Sequence, residues 1–245
     1  MIGIIIQARL GSTRFPKKIL KKFGSETILS FLINRLLVLN IPIVVATTDN
    51  IVDDELCEYL ILNNISFYRG SEDNVLQRFI ETANSYDFDK IIRICSDSPF
   101  IDVDKMIDLI KTSENIDFDY LSYSYQSLPT VLCHFGVFTE IVKRSALIKL
   151  NDTYNLPDYC EHVTFGLYKN PDNFNIRLLA LPESYSKYEK IRLSLDTESD
   201  YLNLLEVEKA LGNDFNSSFE NIAEYIINDN KLIASMELNI INNKK

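Results

Sequence analysis

Metal-binding and reactive side chains are sparse in this chain. It holds two histidines, His134 and His162, and four cysteines, Cys57, Cys95, Cys133 and Cys160, among 245 residues. No CxxC, HExxH or other ligand spacing joins any of them, which excludes a zinc framework and a zinc-protease helix. Singly scattered cysteines read as small buried residues of a reducing compartment, not as a disulfide scaffold. Glycine signatures are missing too. Gly11 and Gly24 stand far apart with no G-K-[ST], so there is no Walker P-loop, and no G-x-G-x-x-G supports a dinucleotide cofactor. Ser12 lacks a G-x-S-x-G frame, which argues against a nucleophilic hydrolase.

Long apolar runs are absent as well. None approaches the roughly 20 residues of a membrane span, and the first is too short and too poorly flanked for a secretory leader. A soluble, cytoplasmic protein with no membrane partner is the expectation. Cations are outnumbered, 25 Lys and Arg against 35 Asp and Glu, for a formal charge of −10. That balance argues against nucleic acid, because affinity for its backbone comes from many cations. No internal repeat and no Gly/Ser- or Pro-rich linker interrupts the sequence. A single domain over 1–245 is expected, with a core large enough to need neither disulfide nor structural metal.

What is present is an alternating rhythm. Apolar β-branched runs at 4–6, 43–47, 65–69 and 91–95 read as buried strands, and amphipathic segments at 26–39, 53–62, 74–86 and 103–112 read as helices. Such alternation predicts an α/β fold with a mostly parallel sheet. After about residue 115 the rhythm weakens. Strands are expected at 118–123, 174–179 and 190–195, a strand or hairpin at 130–139, and helices at 140–150, 199–211 and 219–228. Residues 158–168 have near-helical spacing, and the Asn/Lys-rich end from 239 is expected to fray. Region 120–190 therefore reads as an irregular α+β insertion. Its run Tyr120-Leu121-Ser122-Tyr123-Ser124-Tyr125 alternates in strand fashion and is expected to cover a sheet face.

In an open α/β sheet, ligands bind at the carboxyl ends of parallel strands. Polar strand ends here are Gln7–Lys18, Thr47-Thr48-Asp49, Arg69-Gly70-Ser71-Glu72-Asp73 and Ser96-Asp97-Ser98-Pro99. Residues 1–25 carry Arg9, Arg14, Lys17, Lys18, Lys21 and Lys22 and no acid. This island of positive charge in an acidic chain predicts an anion site, most simply for a polyphosphate. Asp97, between a buried strand and Pro99, suits Mg²⁺ held against phosphate oxygens; the alternative is a turn residue capping the next helix, a task for which Asp102 is better placed. A second carboxylate should complete such a site. Asp196 is the best candidate, with a cap or turn role as its alternative. His162 could contact a substrate, although a lone histidine is more often a satisfied core or surface residue.

The opening run Ile5-Ile6-Gln7-Ala8-Arg9-Leu10-Gly11-Ser12-Thr13-Arg14-Phe15-Pro16-Lys17-Lys18 resembles that of the cytidylyltransferases, including the CMP-3-deoxy-manno-octulosonate and CMP-acylneuraminate synthetases and the spore coat polysaccharide branch. Ordered matches follow at Val45–Asp49, Arg69–Phe79, Arg93–Asp102, Cys160-Glu161-His162-Val163-Thr164 and Arg192–Asp200. The resemblance implies a nucleotide-diphospho-sugar transferase-like sandwich with a mixed, mainly parallel sheet. It implies transfer of CMP from CTP to a small anionic sugar-acid-like acceptor, with release of pyrophosphate and Mg²⁺ as cofactor. Arg9, Lys18 and Asp97 would be catalytic. Gln7, Ala8, Gly11, Ser12, Arg14, Thr48, Gly70, Ser71 and Asp73 would join Arg9 and Lys18 around the nucleotide, and Glu161 and His162 would face the acceptor. Asp97 and Asp196 would hold the metal. Relatives often dimerise through the region matching 120–190, so a homodimer is expected. Lys17 departs from the pattern, standing where relatives usually have Gly, and the residues flanking Asp97 differ. The same fold with another nucleotide or acceptor, such as an alditol phosphate, and a non-catalytic nucleotide-binding protein of a glycan pathway are the competing readings.

Overall fold

A computed structural model describes residues 1–154, 156–212 and 217–243. The chain begins with β1 (Ile2–Gln7), whose middle is wholly buried, as befits a central strand. A small hairpin, β2 (Lys22–Phe23) and β3 (Glu26–Thr27), follows the opening loop. Then come α1 (Ile28–Leu36), β4 (Ile43–Thr48), α2 (Asp54–Leu62), β5 (Phe67–Gly70), α3 (Val75–Ser85), β6 (Lys90–Cys95) and α4 (Val103–Asn115). Asn74 and Asp102 cap α3 and α4 by accepting from the amides of Gln77 and Lys105, which fixes where each helix leaves the rim of the sheet.

The second half supplies β7 (Tyr120–Tyr125), β8 (Leu128–Pro129), β9 (Glu140–Lys143), α5 (Arg144–Thr153), α6 (Pro157–Glu161), α7 (Phe165–Lys169) and β10 (Ile176–Ala180). It closes with α8 (Glu198–Leu211), α9 (Phe219–Ile227) and α10 (Asn230–Asn242). The main sheet has the order β10-β7-β9-β6-β1-β4-β5, with β8 attached to β7. β1 lies parallel between β4 and β6, and β9 runs antiparallel to both β6 and β7. The sheet is therefore mixed and mainly parallel, and the carboxyl ends of β1, β4, β5 and β6 share one rim.

Alternation along each strand divides the core. Ile4, Ile6, Val45, Ile92 and Ile94 face one layer with Leu29, Leu32, Met106, Leu204 and Ile222. Ile5, Val44, Ala46 and Ile91 face the other, with Phe79, Ile80, Leu147 and Leu167. At Gly3 the Phe88 ring approaches so closely that a Cβ would lie 2.3 Å from it, so only glycine admits this packing. Among the described residues, no helix is long and apolar enough to cross a membrane.

Several local expectations need correction. Residues 140–143 form a strand, not the start of a helix; burial between two neighbouring strands overrides the helical period. Residues 130–132 make a 3-10 turn rather than a ladder. Residues 190–195 are extended without joining a sheet, because Leu193 and Leu195 donate to the loop carbonyls of Phe135 and Asp97. Residues 230–242 also form a full helix. In α10, Leu232, Met236 and Ile240 bury one stripe, and Asn239, expected to fray, is itself buried.

Candidate active site

The opening loop leaves β1 at Gln7 and is drawn down by its own backbone. The buried Leu10 accepts from the amides of Ser12 (2.8 Å) and Lys17 (3.1 Å). Lys17 then adopts the left-handed conformation, φ 55°, and turns the chain into the 3-10 turn Lys18–Leu20. This reversal sends the Lys18 side chain inward, where it is 12% exposed. Its ammonium donates to the Leu195 carbonyl at 2.5 Å and lies 3.4 Å from Asp97 Oδ2 and 3.6 Å from Asp196 Oδ1.

Neither carboxylate is a helix cap. Asp102 holds the amides of both Lys105 and Phe219, which leaves Asp97 free of that task. Thr197 caps α8 in a box with Asp200, which frees Asp196. Asp196 is ringed by cations instead: Arg14 Nη2 at 2.9 Å, Arg192 Nη2 at 2.6 Å, and Lys18. Burial pushes its carboxyl upward, but Lys18, Arg14 and Arg192 together outweigh that and hold it below the usual carboxylate range. Asp200 is buried behind it and accepts from Arg192 Nε, the amides of Asp196 and Thr197, the Thr197 hydroxyl and Asn239 Nδ2. Arg14 reaches past Asp196 to Asn243 Oδ1 at 2.7 Å, so the C-terminal helix borders the same site.

Three oxygens, from Asp97, Asp196 and Leu195, thus converge on one ammonium. An all-oxygen set with two carboxylates fits a hard divalent cation that also takes phosphate oxygens and water. No cluster of three or more His, Cys, Asp or Glu side chains suited to a metal exists among the described residues, so any such ion would lean on these two carboxylates.

The neighbouring strand ends complete the rim. Arg9 is exposed, its Nη1 3.5 Å from Glu72 Oε1, and Gly11 leaves open space where a Cβ would meet only Glu72 at 3.9 Å. Ala8 is buried and its amide donates to Ala46; Ser12 is half-buried. Thr48 is buried, pairs with Gly70 across the ladder, and gives its hydroxyl to Asp53. Ser71 Oγ accepts from the Asn74 amide, and Asp73 is exposed beside it. Arg69 staples the two loops by donating to the carbonyls of Thr48 and Asn50. Beneath them Arg78 donates to the Ser71 carbonyl; burial, then nearby Arg9, push its pKa below the usual guanidinium value.

Gln7 Oε1 accepts from Arg93 at 3.2 Å. Arg93 in turn pairs with the buried Glu140, which also accepts from Tyr120 and Thr164. Glu161 and His162 are exposed at the end of α6. Among the described residues, no hydrogen bond or ion pair joins either side chain to the Lys18 cluster. Asp53, Arg192, Asp200 and Asn243 also border the site, with no role expected for them individually from sequence. The Thr197-x-x-Asp200 spacing, close to a capping box, is a legible sign for Asp200, and Arg192 pairs locally with Asp196 and Asp200; Asp53 and Asn243 meet Leu10 and Arg14, which are far away in the chain.

The cytidylyltransferase family profile matches residues 3–233. The spore coat polysaccharide biosynthesis protein SpsF of Bacillus subtilis is 32% identical over 207 residues, covering 82% of this chain and 83% of the relative. A solved cytidylyltransferase from Leptospira borgpetersenii superposes with a TM-score of 0.85 at 31% identity, covering 95% of this chain and 96% of the other. A CMP:2-keto-3-deoxy-manno-octonic acid synthetase complexed with CTP shares the fold, with a TM-score of 0.61 at 14% identity over 85% of this chain and 98% of its own.

Proposed function

Because this chain belongs to the cytidylyltransferase family, we propose that it moves CMP from CTP to a sugar-acid-like acceptor, a nonulosonate or keto-deoxy sugar acid, in surface-glycan biosynthesis. It is a CTP-dependent nucleotidyltransferase with the nucleotide-diphospho-sugar transferase type of fold. The acceptor class draws on the SpsF relative, named for polysaccharide biosynthesis, and on the sugar-acid synthetase of like fold. The observation that carries the site is the convergence of Asp97, Asp196 and Leu195 O on Lys18.

In this reading the acceptor oxygen attacks the α-phosphorus in line and pyrophosphate leaves. Arg9 and Lys18 stabilise the departing pyrophosphate, whose charge grows in the transition state. Arg14 and the backbone of Gln7, Ala8, Gly11 and Ser12 line the triphosphate. Thr48, Gly70, Ser71 and Asp73 border the nucleoside, while Glu161 and His162 face the acceptor. Asp97 and Asp196 would hold Mg²⁺, which would supply positive charge to neutralise the phosphates. The enzyme acts as one domain, in the cytoplasm, as a homodimer built on region 120–190.

Pyrophosphate release measured with CTP, GTP, UTP and ATP over a panel of sugar acids and alditol phosphates tests this. Turnover confined to CTP with a sugar acid is expected. Turnover only with an alditol phosphate or another nucleotide would replace the acceptor or nucleotide assignment, and CTP binding without metal-dependent turnover would replace the catalytic one.

A further inference from the structure

Asp53 occupies the N-cap position of α2 and yet does not cap it. An aspartate there ordinarily accepts from an amide of the helix's first turn. Here both carboxylate oxygens are engaged elsewhere. Oδ1 accepts from the Leu10 amide at 2.6 Å, and Oδ2 accepts from the Thr48 hydroxyl. The side chain is 2% exposed and forms no salt bridge among the described residues. Arg69 and Arg78 lie near enough to attract it electrostatically, but among the described residues neither hydrogen-bonds it, so its burial depends on its bonds to Leu10 and Thr48.

We infer that Asp53 is the positioning residue that sets the opening loop for the triphosphate. Leu10 is the point from which that loop hangs. Its carbonyl closes the loop by accepting from Ser12 and Lys17, and its amide is held from outside only by Asp53. Gln7 and Ala46 are register partners in the parallel ladder, so Thr48 lies just beyond the end of β1. Asp53 ties the first loop to this neighbouring strand end. Arg9 precedes the anchored residue, and Lys18 follows the closed turn. Both cations therefore inherit their positions from one carboxylate 43 residues away. A charge-assisted bond to a buried amide is strong, and holding a binding loop in its bound shape reduces the ordering cost of ligand binding. The inference rests on the nucleotide reading of that loop.

The test compares Asp53→Ala and Asp53→Asn with the wild type by backbone amide hydrogen exchange and by CTP titration in the presence of Mg²⁺. Asparagine can still accept from Leu10 through Oδ1 and can donate to the Thr48 hydroxyl. Asp53→Ala is expected to speed exchange at Leu10, Ser12 and Lys17, to leave α8 and α10 unchanged, and to weaken CTP binding about tenfold or more. Asp53→Asn is expected to stay within about threefold of the wild type. Wild-type exchange at Leu10 in Asp53→Ala, unaltered CTP binding despite faster exchange, or equal loss in both variants would overturn the inference. If Asp53→Ala does not fold, Thr48→Val removes the second anchor bond and should shift the same amides, and unchanged exchange there overturns the anchor. If the wild type does not titrate with CTP, the nucleotide reading fails, while the exchange data still decide whether Asp53 holds the loop.

Discussion

Lys18 and Asp97, 79 residues apart in the chain, meet at 3.4 Å between Nζ and Oδ2. The ammonium is mostly buried and shares its position with Asp196 and the Leu195 carbonyl. Lys18→Ala removes the cation from all three oxygens and, in the proposed function, from the triphosphate. CTP binding should weaken about tenfold or more, the size of a lost charge-assisted contact. Isothermal titration with CTP checks this, and an unchanged isotherm would separate the opening loop from triphosphate binding.

Lys17 stands at φ 55°, a conformation that costs a residue with a Cβ roughly 1 kcal/mol and costs glycine little. Among the described residues its side chain pairs with Glu55 alone, in an exposed ion pair worth little. Lys17→Gly should therefore leave CTP affinity unaltered and raise unfolding stability by up to about 1 kcal/mol in urea. A loss of more than about 1 kcal/mol would show that the lysine side chain contributes beyond its backbone shape.

Asp196 titrates below the ordinary carboxylate range when folded: burial opposes this, but Lys18, Arg14 and Arg192 prevail. A depressed folded value contributes stability that is present above the unfolded value of about 4 and is lost as pH falls through the folded value. In metal-free buffer, the stability difference between wild type and Asp196→Asn should hold steady above about pH 5 and shrink toward more acid solution. A difference that grows on acidification would reverse the sign of the electrostatic balance around Asp196.

Asn239 donates to the buried Asp200 from the last turns of α10. Asn239→Ala leaves one acceptor lobe of Asp200 without that donor and should cost about 1–3 kcal/mol in chemical denaturation. Asn243→Ala removes the exposed contact with Arg14 and the Nδ2 bond to the Asn239 carbonyl but leaves Asp200 satisfied, and should cost less, at most about 1 kcal/mol. Equal effects would argue that α10 does not lock onto the site through Asp200.

Much of the sheet and its rim was legible because β1, β4 and β6 are continuous apolar runs that stop at polar residues, so their ends could be placed side by side. Asp97 stood out for the same reason, since Asp102 was the better helix cap. β9 was not legible: residues 140–150 carry a helical period, and only burial between β6 and β7 makes the first four a strand. α10 was hidden by its asparagines, one of which is buried against Asp200. Asp53 gave no sign, because the Leu10 amide that defines it lies 43 residues away and becomes a neighbour only once the chain has folded.

Pyrophosphate release from CTP by Asp97→Asn tests the central claim most directly. The substitution keeps size and polarity but removes the charge shared with Lys18. With Mg²⁺ and an acceptor that the wild type turns over, the rate should fall about 100-fold or more, as when a principal electrostatic group is lost, while the melting temperature stays near that of the wild type. Near wild-type turnover by Asp97→Asn would contradict the assignment of Asp97 and Asp196 as the metal-holding pair.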